Sequence, residues 1–283
     1  MTDASTGGTL LVPVANPETA DRLLETAIDI ARGRAMELLI MHVVEVPAQL
    51  PLSSGDRLVD DDGEEQTLLD YASTRAADAG VDADTRIRYA RDVATGIVGA
   101  VSAHNASALL MGWRGRPRRR DIVLGSFLDR VIGNAPCDVY VKRIRMPVDE
   151  LESILVPIGG GPHDELATEL AGTIAGEHNA AVTLLHVHRP EASESDREDG
   201  RALLEDRRAL LDDELDVTTE LVESEHVSGA ITDESVDHDL TILGATQDPI
   251  LKRKLVGSVA QSVGRSAANS VIVTRRNIRP ESE

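Results

Sequence analysis

Residues 111–127 of the chain read MGWRGRPRRRDIVLGSF. The apolar run 108–111 that leads into them is typical of a buried strand. Three glycines follow with the spacing G-x2-G-x9-G, at Gly112, Gly115 and Gly125. Ser126 then begins a stretch of helical periodicity, which is the usual position of a helix N-cap. Free N–H groups and the helix dipole make such a turn a favoured phosphate site, although a tight turn with nothing bound has the same pattern.

The chain repeats the strands on either side of this turn. TLLVPVA at residues 9–15 returns as SILVPIG at residues 153–159, which is 144 residues later. The strand end LMG at 110–112 returns as ILG at 242–244, only 132 residues later. The difference places a net insertion of 12 residues in the first copy. The Pro-, Ser-, Gly- and Asp-rich stretch Val46–Gly63 is its natural position.

Strands alternate with helices in both copies. In the first copy, periodicity predicts strands over 9–14, 37–44, 84–89, 108–111 and 138–142. It predicts helices over 17–32, 66–79, 95–104 and 126–134. This alternation predicts an α/β fold with a doubly wound, five-stranded parallel sheet in each copy. Ligands bind such sheets outside the carboxyl ends of the strands where the strand order reverses, here between the first and fourth strands.

The repeat predicts two tandem domains, residues 9–143 and 153–275, joined by a linker at residues 144–152. Because the linker is short, we expect the two halves to pack together as an intrachain pseudo-dimer. The last strand of each copy, VYVK and VIVT, is strongly apolar and is a candidate to pair edge to edge across the pseudo-twofold axis.

The composition narrows the class of protein. Lys and Arg number 29 against 49 Asp and Glu, for a formal net charge of −20. This charge argues against nucleic-acid binding, which needs a positive contact surface. A strongly acidic, lysine-poor chain is typical of a halophile's cytosolic protein, because molar salt screens the repulsion. An acidic chain from an ordinary cytosol is the alternative.

Further features of the sequence bear on compartment. Cys137 is the single cysteine, so neither an internal disulfide framework nor a cysteine zinc cluster is expected. The sequence shows no signal peptide and no apolar run long enough to span a membrane. We therefore expect a cytoplasmic protein.

Taken together, these motifs resemble the universal stress protein family. The resemblance rests on the LLVPV and ILVPI strands, the HV after each second strand, the MG and LG strand ends, and the two GS helix starts. It covers both halves and implies a tandem member, with haloarchaeal origin suggested by the acidic composition. It also implies a Rossmann-like fold of the adenine nucleotide alpha hydrolase-like type that commonly dimerises through its last strand. One branch of the family binds ATP or another adenine nucleotide; another lacks the glycine signature and does not.

The resemblance implies a nucleotide site in the first half. The amides of Gly112, Gly115 and Gly125 and the hydroxyl of Ser126 would hold the phosphates, and the backbone of Val43 would contact the adenine. Met111 and Phe127 flank this signature. The Asp that usually follows the first strand is replaced by Ala15, and the adjacent Asn16 is the candidate substitute. Arg114 and Arg116 are candidate phosphate contacts, with a solvated loop as the alternative.

The second half departs from the signature. Gly244, Gly257 and Ser258 remain, but Gln247 replaces the middle glycine and Gly159 stands where the Asp would be. We expect this site to be empty or to bind something else. The stretch GGGPHD at 159–164 is interpreted as a strand-to-helix turn.

Several other residues receive structural interpretations. His42 and His186 occupy equivalent strand positions and are expected to be buried and hydrogen-bonded. Cys137 is expected to be a small buried hydrophobe.

The predicted function is stress response or signalling through an adenine nucleotide, ATP or ADP or AMP, with or without magnesium. No catalytic set and no metal site is recognisable, so at most weak ATPase activity is expected. A nucleotide that favours one packing of the halves would change affinity for an unidentified protein partner. Two alternatives remain: a nucleotide-free module regulating a partner such as a membrane transporter, and a slow ATP-hydrolysing enzyme.

Overall fold

We describe the protein from a computed structural model, which describes residues 7–59, 63–113, 126–144, 150–245 and 258–278. Contacts divide these residues into two compact units. The first comprises the residues up to Gly112 together with Ser126–Val139. The second comprises Trp113 and the residues from Tyr140 onward.

The first half alternates strands and helices as the sequence predicts. Its strands are β1 (Thr9–Pro13), β2 (Glu37–Glu45), β3 (Ala83–Ala90), β4 (Ala108–Trp113) and β5 (Asp138–Arg143). Its α-helices are α1 (Pro17–Gly33), α2 (Glu64–Asp78), α3 (Val93–Ala103) and α4 (Ser126–Asn134). The strand order is β3-β2-β1-β4-β5, with β1 parallel to both β2 and β4. The order reverses between β1 and β4, as expected.

The second half repeats this plan. Its strands are β6 (Ser153–Pro157), β7 (Ala181–His188), β8 (Val217–Glu223), β9 (Leu240–Gly244) and β10 (Ser270–Arg275). Its α-helices are α5 (Pro162–His178), α6 (Glu194–Arg208), α7 (Val227–Glu234) and α8 (Ser258–Ser266). The order is β8-β7-β6-β9-β10, and β6 runs parallel to both β7 and β9. The predicted α/β class with two tandem parallel-sheet domains is confirmed.

Burial follows from the position of each strand. Leu10, Leu11 and Val12 of β1 are fully buried, as expected for a central strand covered on both faces. The edge strand β3 alternates between exposed and partly buried residues along its first half. Cys137 is buried, as predicted. In the part of the chain that the structure describes, no helix is both long and apolar enough to cross a membrane.

The insertion in the first half has a structure of its own. Residues Leu52–Leu58 form a short 3-10 helix that the sequence did not predict. Gly55 lies against the ring of Tyr89, where an added Cβ would come within 2.4 Å of a ring carbon. Arg91 donates from Nη1 to the carbonyl oxygens of Val46, Pro47 and Leu50 at 3.1, 2.6 and 2.8 Å. The insertion is therefore fastened to the end of β3.

Candidate functional site

The carboxyl edge of the first sheet brings together sequence-distant candidates. Leu10 and Leu11 of β1 pair with Ala108 and Leu109 of β4, so both strands end at the same edge. The segment after β1 carries Ala15, which is exposed. At the end of β4, Met111 is buried and Gly112 is partly buried. Val43 lies near the end of the neighbouring strand β2.

Asn16 has a structural task at this edge. It is the N-cap of α1, and its Oδ1 accepts hydrogen bonds from the backbone N–H of Thr19 at 3.1 Å and from the Thr19 hydroxyl at 3.0 Å. Pro17 follows at the first helical position, which favours this helix start. The side-chain carbonyl oxygen of Asn16 is thus already hydrogen-bonded to the helix that Asn16 caps.

Val43 is held by a close helix contact. An added Cβ on Gly96 of α3 would lie 2.7 Å from Cγ1 of Val43, so only glycine lets the helix come this near. Asp92 caps the same helix by accepting from the backbone N–H of Thr95 at 2.9 Å. That hydrogen bond is the main reason why the pKa of Asp92 is lowered.

The helix α4 begins at Ser126, which is its first residue rather than the flanking N-cap that the sequence suggested. Arg130 donates from Nη2 to Asp92 at 2.9 Å and so ties α4 to α3. Phe127 is exposed. Burial raises the pKa of Asp129, and its Oδ1 has no hydrogen-bond partner among the residues that the structure describes.

Four predicted site residues lie outside the described part of the chain. They are Arg114, Gly115, Arg116 and Gly125. Gln247, the departure in the second half, also lies outside it. The assignment of these residues to a nucleotide site stays a prediction.

The two repeated histidines make the same contact in each half. Nδ1 of His42 lies 2.9 Å from the carbonyl oxygen of Val14, and Nδ1 of His186 lies 2.8 Å from that of Ile158. Since a carbonyl can only accept, each Nδ1 carries the hydrogen. Each histidine is hydrogen-bonded, as predicted, but partly rather than fully buried, and it ties the second strand of its half to the segment after the first.

The second half organises its strand-to-helix loop around a buried carboxylate. Gly160 and Gly161 have φ of 93° and 113°, which favours glycine, and α5 starts directly afterwards. The predicted turn at GGGPHD is confirmed. Asp164 in the first turn of α5 is only 5% exposed, and its Oδ2 accepts from the backbone N–H groups of Gly159, at 2.9 Å, and Gly160.

Arg207 of α6 completes this arrangement. Its Nε donates to Oδ1 of Asp164 at 3.0 Å, and its Nη2 donates to the carbonyl oxygen of Gly161 at 3.3 Å. The guanidinium is nearly inaccessible, with the side chain 10% exposed. A buried charge needs such a partner, because an unpaired one is costly to desolvate.

His163 joins the loop to the end of β10. Its Nδ1 accepts from the backbone N–H of Arg276 at 3.1 Å, and its carbonyl oxygen accepts from the hydroxyl of Thr274 at 2.7 Å. Burial lowers the pKa of His163, and the charges of Arg275 and Arg276 act in the same direction.

A cavity of about 570 Å³ lies at the carboxyl edge of the second sheet. It is bounded by the loop after β6, the ends of β7 and β9, and helices α5, α7 and α8. Gly244 at the end of β9 lets α5 approach, since an added Cβ would lie 2.6 Å from the backbone nitrogen of Asp164. We call this cavity the second-half pocket.

Sequence reasoning missed the pair formed by Asp164 and Arg207. The two residues are 43 positions apart on different helices. The sequence placed Asp164 in the strand-to-helix turn at 159–164, and an acidic residue at a helix start is commonly an exposed partner of the helix dipole. Only the fold shows that the side chain of Asp164 is buried and accepts hydrogen bonds from the glycine loop.

Comparison with known proteins identifies the family that shares this architecture. A profile of the universal stress protein family matches residues 8–143 and again residues 150–275. A universal stress protein from Archaeoglobus fulgidus has a similar structure, with a TM-score of 0.69 and 20% identity over 95% of this chain and 96% of that one. The cytoplasmic domain of a prokaryotic cation chloride cotransporter is also similar, with a TM-score of 0.64 and 14% identity over 96% of each chain.

One relative is similar in sequence. The Na(+)/H(+) antiporter NhaS5 of Synechocystis is 30% identical over 187 residues, which are 63% of this chain and 26% of the antiporter. This chain thus spans about a quarter of that relative's length. The profile matches in both halves, together with the repeated five-stranded fold, show that the chain belongs to the universal stress protein family as a tandem member.

Proposed function

We propose that this protein serves stress response or signalling by binding an adenine nucleotide in its first half. The observation that supports this proposal most directly is the spacing of four residues between the end of β4 and the start of α4: Gly112, Gly115, Gly125 and Ser126. Gly112 at the end of β4 lies beside the point where the strand order reverses, which is where α/β sheets take their ligands. The amides of this turn and the N terminus of α4 suit phosphates.

Each end of the nucleotide has a proposed set of contacts. The phosphates are held by the glycine amides, by the Ser126 hydroxyl and by Arg114 and Arg116. The adenine lies against the backbone at Val43, which α3 approaches closely at Gly96. The site accepts ATP, ADP or AMP, with or without magnesium.

The ribose end is the weak part of the proposed site. Ala15 offers no polar side chain, and Oδ1 of Asn16 already caps α1. Backbone groups must therefore contact the ribose. The substitution Ala15→Asp should strengthen nucleotide binding, because it supplies a carboxylate that accepts hydrogen bonds from the ribose hydroxyls. The expected gain is about tenfold in affinity, equivalent to one hydrogen bond to a charged group.

The proposed role is regulatory rather than catalytic. The first-half candidates are amides, hydroxyls and guanidinium groups that bind phosphate, with no nucleophile and base assigned among them. Binding favours one conformation of the chain and thereby changes its affinity for a protein partner. Slow hydrolysis of bound ATP is compatible with this role.

A second candidate is a module that regulates a membrane transporter. It is favoured by the 30% identity to part of an Na(+)/H(+) antiporter. The fold also serves as the cytoplasmic domain of a cation chloride cotransporter. Sodium–proton exchange in native membrane vesicles, measured with and without added protein, tests this candidate: an altered rate supports it and an unchanged rate contradicts it.

Mass spectrometry of small molecules released from denatured protein tests the nucleotide proposal. The protein is purified in high salt as wild type, as Gly115→Gln with Ser126→Ala, and as Ser258→Ala, the matched change in the second half. Nucleotide on the wild type and on Ser258→Ala, with none on the double variant, is the expected result. No nucleotide on the wild type and no binding of added ATP with magnesium would overturn it.

A further inference from the structure

We propose that the first-half site does not distinguish ribose from deoxyribose, so that it takes adenine nucleotides of either sugar with similar affinity. This inference rests on the nucleotide site proposed above and adds the class of sugar that the site accepts. It follows from the position of the sugar between the adenine and the phosphates, and from the polar groups around that position.

The strand order determines where the sugar lies. In the first half the order is β3-β2-β1-β4. The proposed adenine contact, Val43, lies near the end of β2, and the first proposed phosphate contact, Gly112, lies near the end of β4. Because β1 pairs with both of these strands, it lies between them. A sugar that joins the adenine to the phosphates therefore lies over the end of β1, against residues 14–16.

The side chains at the end of β1 offer no carboxylate to the sugar. Ala15 has a methyl group, and Oδ1 of Asn16 already accepts hydrogen bonds from the backbone N–H and the hydroxyl of Thr19 at 3.1 and 3.0 Å. The backbone carbonyl oxygen of Asn16 accepts from the N–H of Ala20 at 3.0 Å. The two adjacent hydroxyls of a ribose therefore lack a charged acceptor here, which would make the stronger kind of hydrogen bond.

Other polar groups near the ends of β1 and β2 are used within the protein. The backbone N–H of Val14 donates to the carbonyl oxygen of Met41 at 2.8 Å. The carbonyl oxygen of Val14 accepts from Nδ1 of His42 at 2.9 Å. At the end of β2, Oε1 of Glu45 accepts from the backbone N–H of Val93 at 3.2 Å. These groups are satisfied without any ligand.

Neutral backbone groups of Ala15 can contact the sugar, but such contacts do not select for a hydroxyl. Ala15 is exposed, so its N–H and carbonyl groups can bond to water when a sugar hydroxyl is absent. A neutral hydrogen bond that exchanges with water contributes little net free energy, whereas a buried or charged group left without its partner is costly. Removing one or both sugar hydroxyls should therefore change the affinity by no more than about threefold.

Isothermal titration calorimetry with three nucleotides tests this inference. ATP, 2′-deoxyATP and 2′,3′-dideoxyATP carry two, one and no sugar hydroxyls on the same base and phosphates. Each is titrated with magnesium into the full chain in high salt, after bound nucleotide has been removed by dialysis. The three dissociation constants should agree to within about threefold.

Ala15→Asp should create the missing selectivity. Its carboxylate can accept hydrogen bonds from the ribose hydroxyls, so this variant should bind ATP about tenfold more tightly than 2′,3′-dideoxyATP. Ala77→Asp is the matched control, because it adds the same charge at an exposed position near the end of α2, just before β3 begins and thus away from the carboxyl edge. Glu18→Gln removes the exposed carboxylate in the first turn of α1. Neither control should change the ratio of the affinities.

Similar affinities of the wild type for all three nucleotides, with selectivity for ATP in Ala15→Asp alone, support the proposal. A tenfold preference of the wild type for ATP over 2′,3′-dideoxyATP would overturn it, although the nucleotide site itself would stand. No gain of selectivity in Ala15→Asp, the same gain in Ala77→Asp, or a changed ratio in Glu18→Gln would contradict the placement of the sugar beside Ala15. If the wild type binds none of the three, the nucleotide proposal fails and this inference fails with it.

Discussion

Nε of Arg207 lies 3.0 Å from Oδ1 of Asp164, and both side chains are almost inaccessible to solvent. The same carboxylate accepts the loop amides of Gly159 and Gly160. The pair therefore joins helix α6 to helix α5 and to the loop after β6 through one ion pair and its hydrogen bonds. Removing Arg207 leaves the buried carboxylate of Asp164 without its counterpart, and removing Asp164 leaves Arg207 with only the more exposed Glu165, whose Oε1 lies 3.5 Å from Nη2 of Arg207.

We expect Asp164→Ala to lower the free energy of unfolding of the protein by about 3–5 kcal/mol, the usual cost of breaking a buried ion pair. Urea denaturation followed by circular dichroism measures the change. Asp84→Ala is the matched control, because the Asp84–Arg86 pair is exposed and exposed pairs contribute little. Equal effects of the two substitutions would show that the buried pair has no special structural role.

Gly244 is the second critical position of this edge. A Cβ there would lie 2.6 Å from the nitrogen of Asp164 and 2.7 Å from the carbonyl carbon of His163, and both are backbone atoms. Gly244→Ala should therefore destabilise the protein by about 1–3 kcal/mol through overpacking. Thermal denaturation measures the change, with Gly159→Ala as control because nothing lies within 4 Å of its added Cβ. A midpoint unchanged in Gly244→Ala would contradict the close approach of α5 to β9.

Local sequence patterns predicted the repeated architecture because they recur at fixed offsets and have clear periodicity. The strand over 9–14 and the helix over 17–32 match β1 and α1 to within one residue. Contacts between distant residues were not accessible in this way. The pair of Asp164 and Arg207 depends on the packing of two helices, which no local pattern encodes.

Contacts near the candidate site and in the insertion also could not be predicted from local sequence patterns. Gly96 falls within the helix predicted over 95–104, and the fold requires it to be small beside Val43. Composition placed the insertion at Val46–Gly63, because clusters of Pro, Ser, Gly and Asp signal breaks in regular structure. Its 3-10 helix follows a segment that Arg91, which lies beyond the insertion in sequence, fastens through the carbonyls of three residues between Val46 and Leu50.

His163 should make the stability of the protein depend on pH. Its pKa is lowered in the folded state by burial and by Arg275 and Arg276, whereas in the unfolded chain it is about 6.5. Below about pH 6.5 the unfolded chain binds more protons than the folded protein, so acidification favours unfolding. The contribution of His163 to stability is therefore fully present above that pH. It is lost as the pH falls toward the lowered pKa of the folded state.

Urea denaturation of wild type and His163→Asn between pH 5 and pH 8 measures this contribution. The Asn side-chain oxygen can replace Nδ1 as the acceptor for Arg276, so the variant should lose less stability on acidification. The difference is about 1.4 kcal/mol for each unit by which the folded pKa is lowered. His104→Asn at an exposed position is the control, and parallel pH profiles of wild type and His163→Asn would contradict the prediction.

Arg91 should control the opening of the insertion. Its Nη1 contacts three carbonyl oxygens between Val46 and Leu50, and the net value of a hydrogen bond is about 1 kcal/mol. Arg91→Ala should therefore raise the rate of tryptic cleavage after the exposed Arg57 by roughly tenfold, because local opening exposes the chain. Arg86→Ala, which removes an exposed arginine from β3, the strand that Arg91 follows, should leave the rate unchanged. Equal cleavage rates in both variants would contradict the fastening role of Arg91.

The net charge of −20 predicts that salt stabilises the fold. At low ionic strength the acidic surface repels itself, and molar salt reduces the Debye length to about 3 Å and screens that repulsion. Between 0.1 and 2 M KCl we expect the thermal midpoint to rise by roughly 5–10 °C. Neutralising exposed carboxylates of α6 should flatten this rise because it removes part of the repulsion; the changes are Glu198→Gln, Asp199→Asn, Glu205→Gln and Asp206→Asn. A rise of the same size in this variant would show that salt acts on apolar burial rather than on charge.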